Sequence, residues 1–337
     1  MAEFTFDIAT LWAFIIAFAV FMYIVMDGFD LGLGMLFPMF PKKEDRDVMM
    51  NTVAPVWDGN ETWLVLGGGG LMAAFPLAYA ILMPALYTPI IAILIGLVFR
   101  GVAFGFRCRT QSKRNSWDVA FAGGSLIAAM AQGIALGAIL HGVHVEGRRY
   151  AGGWWDWLTP FSILTGCAVV AGYGLLGATW LVMKTTGELR EHAYRLIWWL
   201  LVATLIAIVA VSLATPFLQA DYWRRWFEWP NIIFTAPIPI AVAAVTLLLL
   251  KSLASKQDYR PFVLSLVLFA LSYAGLGVSM YPYIVPQSIT IWQAAAPANS
   301  LNFMIFGVAI LVPIILGYTA WAYWVFRGKV DASSGYH

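Results

Sequence analysis

Two short stretches put acids where hydrocarbon is expected. "MDGFDLGLG" carries Asp27 and Asp30 inside a long apolar run, and "APVWDGNETWLVLGGGG" places Asp58, Asn60 and Glu61 between Trp57 and Trp63. A spacing of i, i+3 brings Asp27 and Asp30 to one helix face, and does the same for Asp58 and Glu61. A third stretch, "LVFRG", supplies a cation, Arg100. Ionisable side chains inside a membrane are costly and mark proton or ion paths. They also serve as structural pins, through hydrogen bonds or an ion pair between helices. Carboxyl groups that gain and lose protons suit a relay, and Arg100 with Asp27 or Asp58 makes a compensated pair. Both chemistries fit these residue types.

The surrounding composition justifies treating these positions as intramembrane. Of 337 residues, 61% are hydrophobic and 11% charged, where a soluble domain carries about 25% charged residues. Mean hydropathy is +0.78. The chain reads as a single all-α polytopic membrane domain over residues 1–337, with no basic run of the kind that binds nucleic acid. Nine apolar segments are expected to span: 10–37, 53–74, 77–99, 118–140, 161–183, 194–216, 232–250, 262–282 and 303–326. Sixteen of the 20 Lys and Arg residues fall in the loops after the odd-numbered spans and in the tail. Arg148, Arg149, Arg224 and Arg225 fall on the other side. The positive-inside rule then puts the N-terminus outside and the C-terminus in the cytoplasm. The first ten residues contain no Lys or Arg, so the first run reads as a retained span, not a cleavable signal.

This topology places the acids. Counting from Thr10, Asp27 lies about 26 Å along the first helix, in the cytoplasmic half. The second helix begins inside near Asn51, so Asp58 lies about 10 Å in and Glu61 about 15 Å in. Arg100 closes the third span at its cytoplasmic boundary. Three consecutive spans therefore bring their ionisable groups to the same depth. Gly67–Gly70, Gly32 and Gly34 leave strips without side chains, which allow close helix approach.

Other features bound the chemistry. His141 and His144 lie at an outer helix end, His192 in a cytoplasmic loop and His337 at the terminus. None sits mid-membrane, so no haem ligand pair and no metal site is expected in this chain. Cys108 and Cys167 read as unpaired thiols. Trp154, Trp155, Trp157, Trp223, Trp226 and Trp229 read as interfacial anchors or, alternatively, a stacking site for a ring ligand. Residues 283–302 carry no charge and read as a cap over the outer helix ends. "VWDGN" and "SWDVA", opening the second and fourth spans, form a faint internal echo.

"MDGFDLGLGML", "APVWDGNETWL", "VFRGVAFGFR" and "LVPIILGYTAWAYW" resemble subunit II of the cytochrome bd-type quinol oxidases, including the cyanide-insensitive type. The resemblance covers most of the chain, in order. It implies two four-helix bundles plus one extra helix, in the bacterial inner membrane. It implies an obligate partner, the subunit I that carries three haems (two b-type, plus haem d or a b-type variant), and a small single-span accessory subunit. The complex so implied oxidises ubiquinol or menaquinol and reduces O2 to water. Subunit II in this family binds no haem and supports assembly. The resemblance also implies that Asp58, Asp27 and Asp30 line a hydrophilic proton path, with Glu61 beside them. It puts Trp63 by an oxygen path and Trp57 near a structural quinone or lipid. A proton-coupled secondary transporter and a purely structural subunit are the competing readings.

Overall fold

The computed structural model describes residues 7–107, 109–110 and 114–330. Lys113, Cys108 and His337 fall outside the described residues, and so do the first six residues used in the signal argument.

Helix α1 runs Ile8–Leu36, capped by the Asp7 side chain accepting from the Thr10 amide at 2.8 Å. A 3-10 turn, Phe37–Met39, leads to α2 (Lys43–Val53). Then come α3 (Trp57–Ala74), α4 (Pro76–Ala85), α5 (Tyr87–Arg107) and α6 (Arg114–His141). A hairpin of β1 (Val145–Glu146) and β2 (Arg149–Tyr150) precedes α7 (Pro160–Lys184), α8 (Gly187–Leu218) and α9 (Ala220–Phe227). After these follow α10 (Ile232–Thr235), α11 (Pro237–Ala254) and α12 (Arg260–Met280). A second hairpin, β3 (Tyr283–Val285) with β4 (Ile289–Thr290), leads through α13 (Ile291–Ala294) to α14 (Ala298–Val325). The architecture is all-helical apart from these two small antiparallel hairpins.

Among the described residues, eight helices are long and apolar enough to cross a bilayer. The remaining expected span, 53–74, corresponds to the 18-residue α3, whose acids and glycines make it less apolar than the others. It starts at Trp57 because Val56, at φ −127° and ψ −20°, interrupts the chain after α2. The expected span 77–99 is corrected. Phe75 and Leu86 leave helical geometry, so α4 is separate and the third long helix is α5. Phe75 precedes Pro76, and a residue before proline is driven out of the α region. Arg100 is therefore not at a helix end. Seven residues of α5 lie beyond it, about 10 Å.

Packing centres on α1, which contacts α3, α6 and α7, while α5 lies along α6 and α8 along α7. The α6–α7 and α1–α7 seams make the two expected bundles one continuous body, with α11 and α12 joined through α12 to α7. Glycine sets the closest crossing. A Cβ on Gly32 would overlap the Tyr173 carbonyl oxygen, and one on Gly177 would overlap the Gly32 backbone. The four-glycine run behaves differently. Gly67 and Gly70 face Val20 and Ile16 of α1, but nothing lies within 4 Å of a Cβ on Gly68 or Gly69.

The two ends of the bundle differ in chemistry. At one end Lys42 pairs with Glu188, Arg190 with Asp258 at 2.5 Å, and Lys256 with Glu191 at 2.9 Å. At the other, Val285, Ile289, Ile291 and Ala294 pack on Phe75, Ile81 and Leu82, so residues 283–302 do form a cap. It is fastened by the Ala296 amide on the Ala74 carbonyl at 2.8 Å and the Trp12 indole N–H on the Leu301 carbonyl at 3.1 Å.

Candidate functional site

Arg100 reaches from α5 to the acids of α1 and α3. Its Nη1 donates to Asp27 Oδ1 at 2.6 Å and lies 3.5 Å from Glu61 Oε1. Its Nη2 lies 3.8 Å from Asp30 Oδ2. Asp27, Asp30 and Arg100 are each at most 1% exposed, whereas the Glu61 side chain is 27% exposed. One guanidinium thus faces three carboxyl groups in a buried space. A charge taken out of water needs both a counter-ion and hydrogen bonds on its remaining atoms. Here Asp27 Oδ2, Asp30 Oδ1, Glu61 Oε1 and Arg100 Nη2 have no hydrogen-bond partner among the described residues. If Asp27 balances Arg100, the other two carboxyls are neutral only when each holds a proton. The arrangement thus holds more carboxyl groups than cations.

Two polar arms extend from it. Asn60 Nδ2 donates to Asp30 Oδ2 at 2.7 Å and to the Met26 carbonyl at 3.2 Å, and Asn60 Oδ1 accepts from the Tyr323 hydroxyl at 3.0 Å. On the other side Tyr23, one turn from Asp27 on α1, accepts from Gln132 Nε2 at 2.8 Å. The Tyr173 hydroxyl in turn donates to Gln132 Oε1 at 2.8 Å. The fold so brings together Asp27, Asp30, Glu61 and Arg100, as the spacing led one to expect, with Asp27 as the direct partner of Arg100. Asp58 is placed apart. It is exposed on the first turn of α3, near Glu61 in charge but joined to no other acid. Trp57 is half-buried and stacks on Phe104 with ring centroids 5.0 Å apart. Trp63 is buried edge-on to Phe18 at 5.8 Å, and its indole N–H has no partner among the described residues.

A second cluster sits two turns further along α5. Arg107 donates through Nε to Asp118 and through Nη1 to Asp47 at 2.6 Å. Arg114 joins Asp47 at 2.7 Å and Arg46 joins Asp118 at 2.7 Å. Here three guanidiniums share two carboxylates. The sequence signalled Asp118 only through the Trp-Asp echo. Tyr323, Tyr23 and Gln132 gave no signal beyond being polar groups in apolar helices.

The remaining ligand-type residues do not converge. His141 ends α6, the His144 side chain is 63% exposed, and His192 packs on the Phe40 ring. Cys167 is a free, exposed thiol. Among the described residues no group of three His, Cys, Asp or Glu side chains is arranged to hold a metal ion. At the capped end, Tyr87, Tyr150, Trp154 and Trp157 line an open cavity of about 320 Å³.

The family model for cytochrome bd terminal oxidase subunit II matches residues 8–326. The chain is 32% identical to the cytochrome bd-I ubiquinol oxidase subunit 2 of Escherichia coli (strain K12), over 95% of this chain and 94% of that protein. It is 27% identical to the cytochrome bd ubiquinol oxidase subunit 2 of Bacillus subtilis (strain 168), over 95% and 96%. The structure of bd oxidase from Geobacillus thermodenitrificans superposes with a TM-score of 0.75 at 16% identity, covering 96% of this chain and 99% of that one, a likeness of fold. With a match from the start of α1 to the end of α14, the chain belongs to the cytochrome bd terminal oxidase subunit II family.

Proposed function

We propose that this chain is the haem-free subunit II of a quinol:O2 oxidoreductase. It stabilises a haem-bearing subunit I in the bacterial inner membrane and carries protons inward from the cytoplasm through Glu61, Asp30 and Asp27. Reduction of one O2 to two waters by two quinols takes up four protons at the oxygen-reducing site, so a carboxyl path is needed somewhere in the complex. The observation that carries the reading is the surplus of carboxyl groups over cations around Arg100, with buried oxygens left without donors. A relay requires such sites, since a fully satisfied carboxylate has no reason to bind a proton. The partly exposed Glu61 is the mouth, Asp58 an outer collector of positive charge, and Arg100 the fixed counter-charge. The basic end of the bundle is the cytoplasmic side by the positive-inside rule.

The exposed strip of α3 with Gly68 and Gly69 gives subunit I a place for close helix contact. Haem, as the electron carrier of the complex, belongs to subunit I in this reading, because the histidines of this chain lie apart at helix ends and loops. A small single-span subunit and bound quinone or lipid complete the assembly, with Trp57 and Trp63 beside the oxygen or quinone region. One observation favours a purely structural role instead, namely that the Arg100 bond to Asp27 ties α5 to α1.

The experiment is purification of the tagged chain with its partner, followed by a visible spectrum and quinol oxidation assays on Asp27→Asn. A colourless monomer overturns the subunit assignment. Normal haem content with turnover lowered at least tenfold supports the path. Normal haem and normal turnover sink it.

A further inference from the structure

We propose that Tyr323 is a positioning residue for Asp30, and that the segment Phe326–Val330 is a strap that holds Tyr323 in place. The last helix is otherwise weakly attached. No residue in the most apolar 18-residue window of α14 is buried within this chain. Apart from the Trp12 indole on Leu301 at the capped end, its polar fastenings lie at its basic end. Lys184 is buried at the end of α7, lies 5.1 Å over the Trp180 ring, and donates Nζ to the Phe326 carbonyl and, at 3.3 Å, to the Gly328 carbonyl. The Val330 amide donates to the Lys184 carbonyl at 2.7 Å. Lys329 donates to the Thr185 carbonyl at 3.2 Å and to Asp258 at 2.6 Å. One turn before this strap, the Tyr323 ring packs against Phe29 and Trp180, at 6.5 Å and 6.1 Å between centroids.

The hydroxyl of Tyr323 and the Met26 carbonyl together set the orientation of one amide. Asn60 is 1% exposed, and its side chain makes three hydrogen bonds, to Tyr323, Asp30 and the Met26 carbonyl. With Tyr323 donating to Oδ1, the NH2 group must point at Asp30, where it favours the ionised carboxylate. Without that donor only the Met26 carbonyl opposes a turn of the amide oxygen toward Asp30, a turn that favours the protonated acid. Tyr323 thus acts on Asp30 through Asn60, and the strap acts on Tyr323 through the backbone of α14. The effect on turnover rests on the proton-path reading, whereas the effect on Asp30 does not.

The test uses the intact haem-containing complex with Tyr323→Phe and Lys184→Met, the second of which alters no atom of the carboxyl cluster. Infrared difference spectra over a pH series follow the carboxyl C=O band that disappears in Asp30→Asn. The expected result is that this band persists to higher pH in both variants. A band with native pH dependence in either variant overturns the proposal, and so does a loss of assembled complex unaccompanied by any displacement of the band. A displaced band with an unchanged pH profile of quinol oxidation supports the positioning role and counts against the proton path instead.

Discussion

Helix α5 carries two arginines seven residues apart, and their surroundings are opposites. Arg100 faces three carboxyls with one guanidinium, while Arg107 belongs to three guanidiniums sharing two carboxylates. Around Arg100 the acids keep oxygens without donors; around Arg107 both aspartates are engaged by two arginines each. The first group is deep and closed apart from Glu61. The second opens on Asp47, whose side chain is 36% exposed. A surplus of acid in a closed space leaves protons to be placed. A surplus of base near water gives each aspartate two cations and ties α2, α5 and α6 together. The residue types are the same, and the two groups differ in the ratio of acid to base and in burial.

The largest expected effect comes from removing the cation of the first group. Arg100→Leu leaves Asp27, Asp30 and Glu61 with no counter-charge, and breaking a buried pair from one side costs about 3–5 kcal/mol. The expected outcome is loss of assembled complex, read as the haem-to-protein ratio after purification. Arg107→Leu breaks the second group less severely, because Arg114 and Arg46 still hold Asp47 and Asp118. A cost of about 1–3 kcal/mol is expected, seen as a lower thermal midpoint with haem retained. An equal loss in the two variants would erase the distinction.

Function separates the groups next. Asp27→Asn is expected to slow quinol oxidation at least tenfold, about 1.4 kcal/mol of barrier, while Asp118→Asn changes the rate by about twofold or less in the assembled enzyme, about 0.4 kcal/mol. Stopped assays on matched haem content make this comparison. The smallest effect concerns the surface. Burial by itself would raise the Asp258 carboxyl, but hydrogen bonds from Lys329 and Arg190 outweigh it and hold its pKa below the usual carboxylate value. A depressed carboxylate contributes stability above its ordinary pKa and loses it as pH falls through the folded one. Thermal midpoints below pH 4 should therefore fall less steeply in Asp258→Asn than in the native protein, whereas identical slopes would show that this contact does not couple to folding.

The acids of the first group were legible because charge inside an apolar run is conspicuous, and helical periodicity put Asp27 and Asp30 on one face. Arg100 was legible as a partner but misplaced in its helix. Hydropathy sees 77–99 as one run, and it does not register that Leu86 leaves helical geometry and parts α4 from α5. Asp58 was grouped with Glu61 by spacing, yet i, i+3 positions still differ by about 60° around a helix, and Asp58, on the first turn of α3, is exposed while Glu61 is half-buried. The second group was hidden for a different reason. Arg107, Asp47 and Asp118 look like ordinary loop-edge charges, and only tertiary contact joins Arg107 to Asp47, 60 positions apart, and Arg46 to Asp118, 72 apart. Tyr323 was hidden because an aromatic near a helix end reads as an interfacial anchor.

That position has a consequence in time. Among the residues that complete the Asp30 arm, Tyr323 and its strap are the last to be synthesised. Asn60 enters the bilayer early and waits for its donor until α14 arrives and Lys184 captures its end. A nascent chain halted before α14 would hold every acid of the cluster but not the hydroxyl that orients the amide beside one of them. Completion of the polar site thus waits on the arrival of α14.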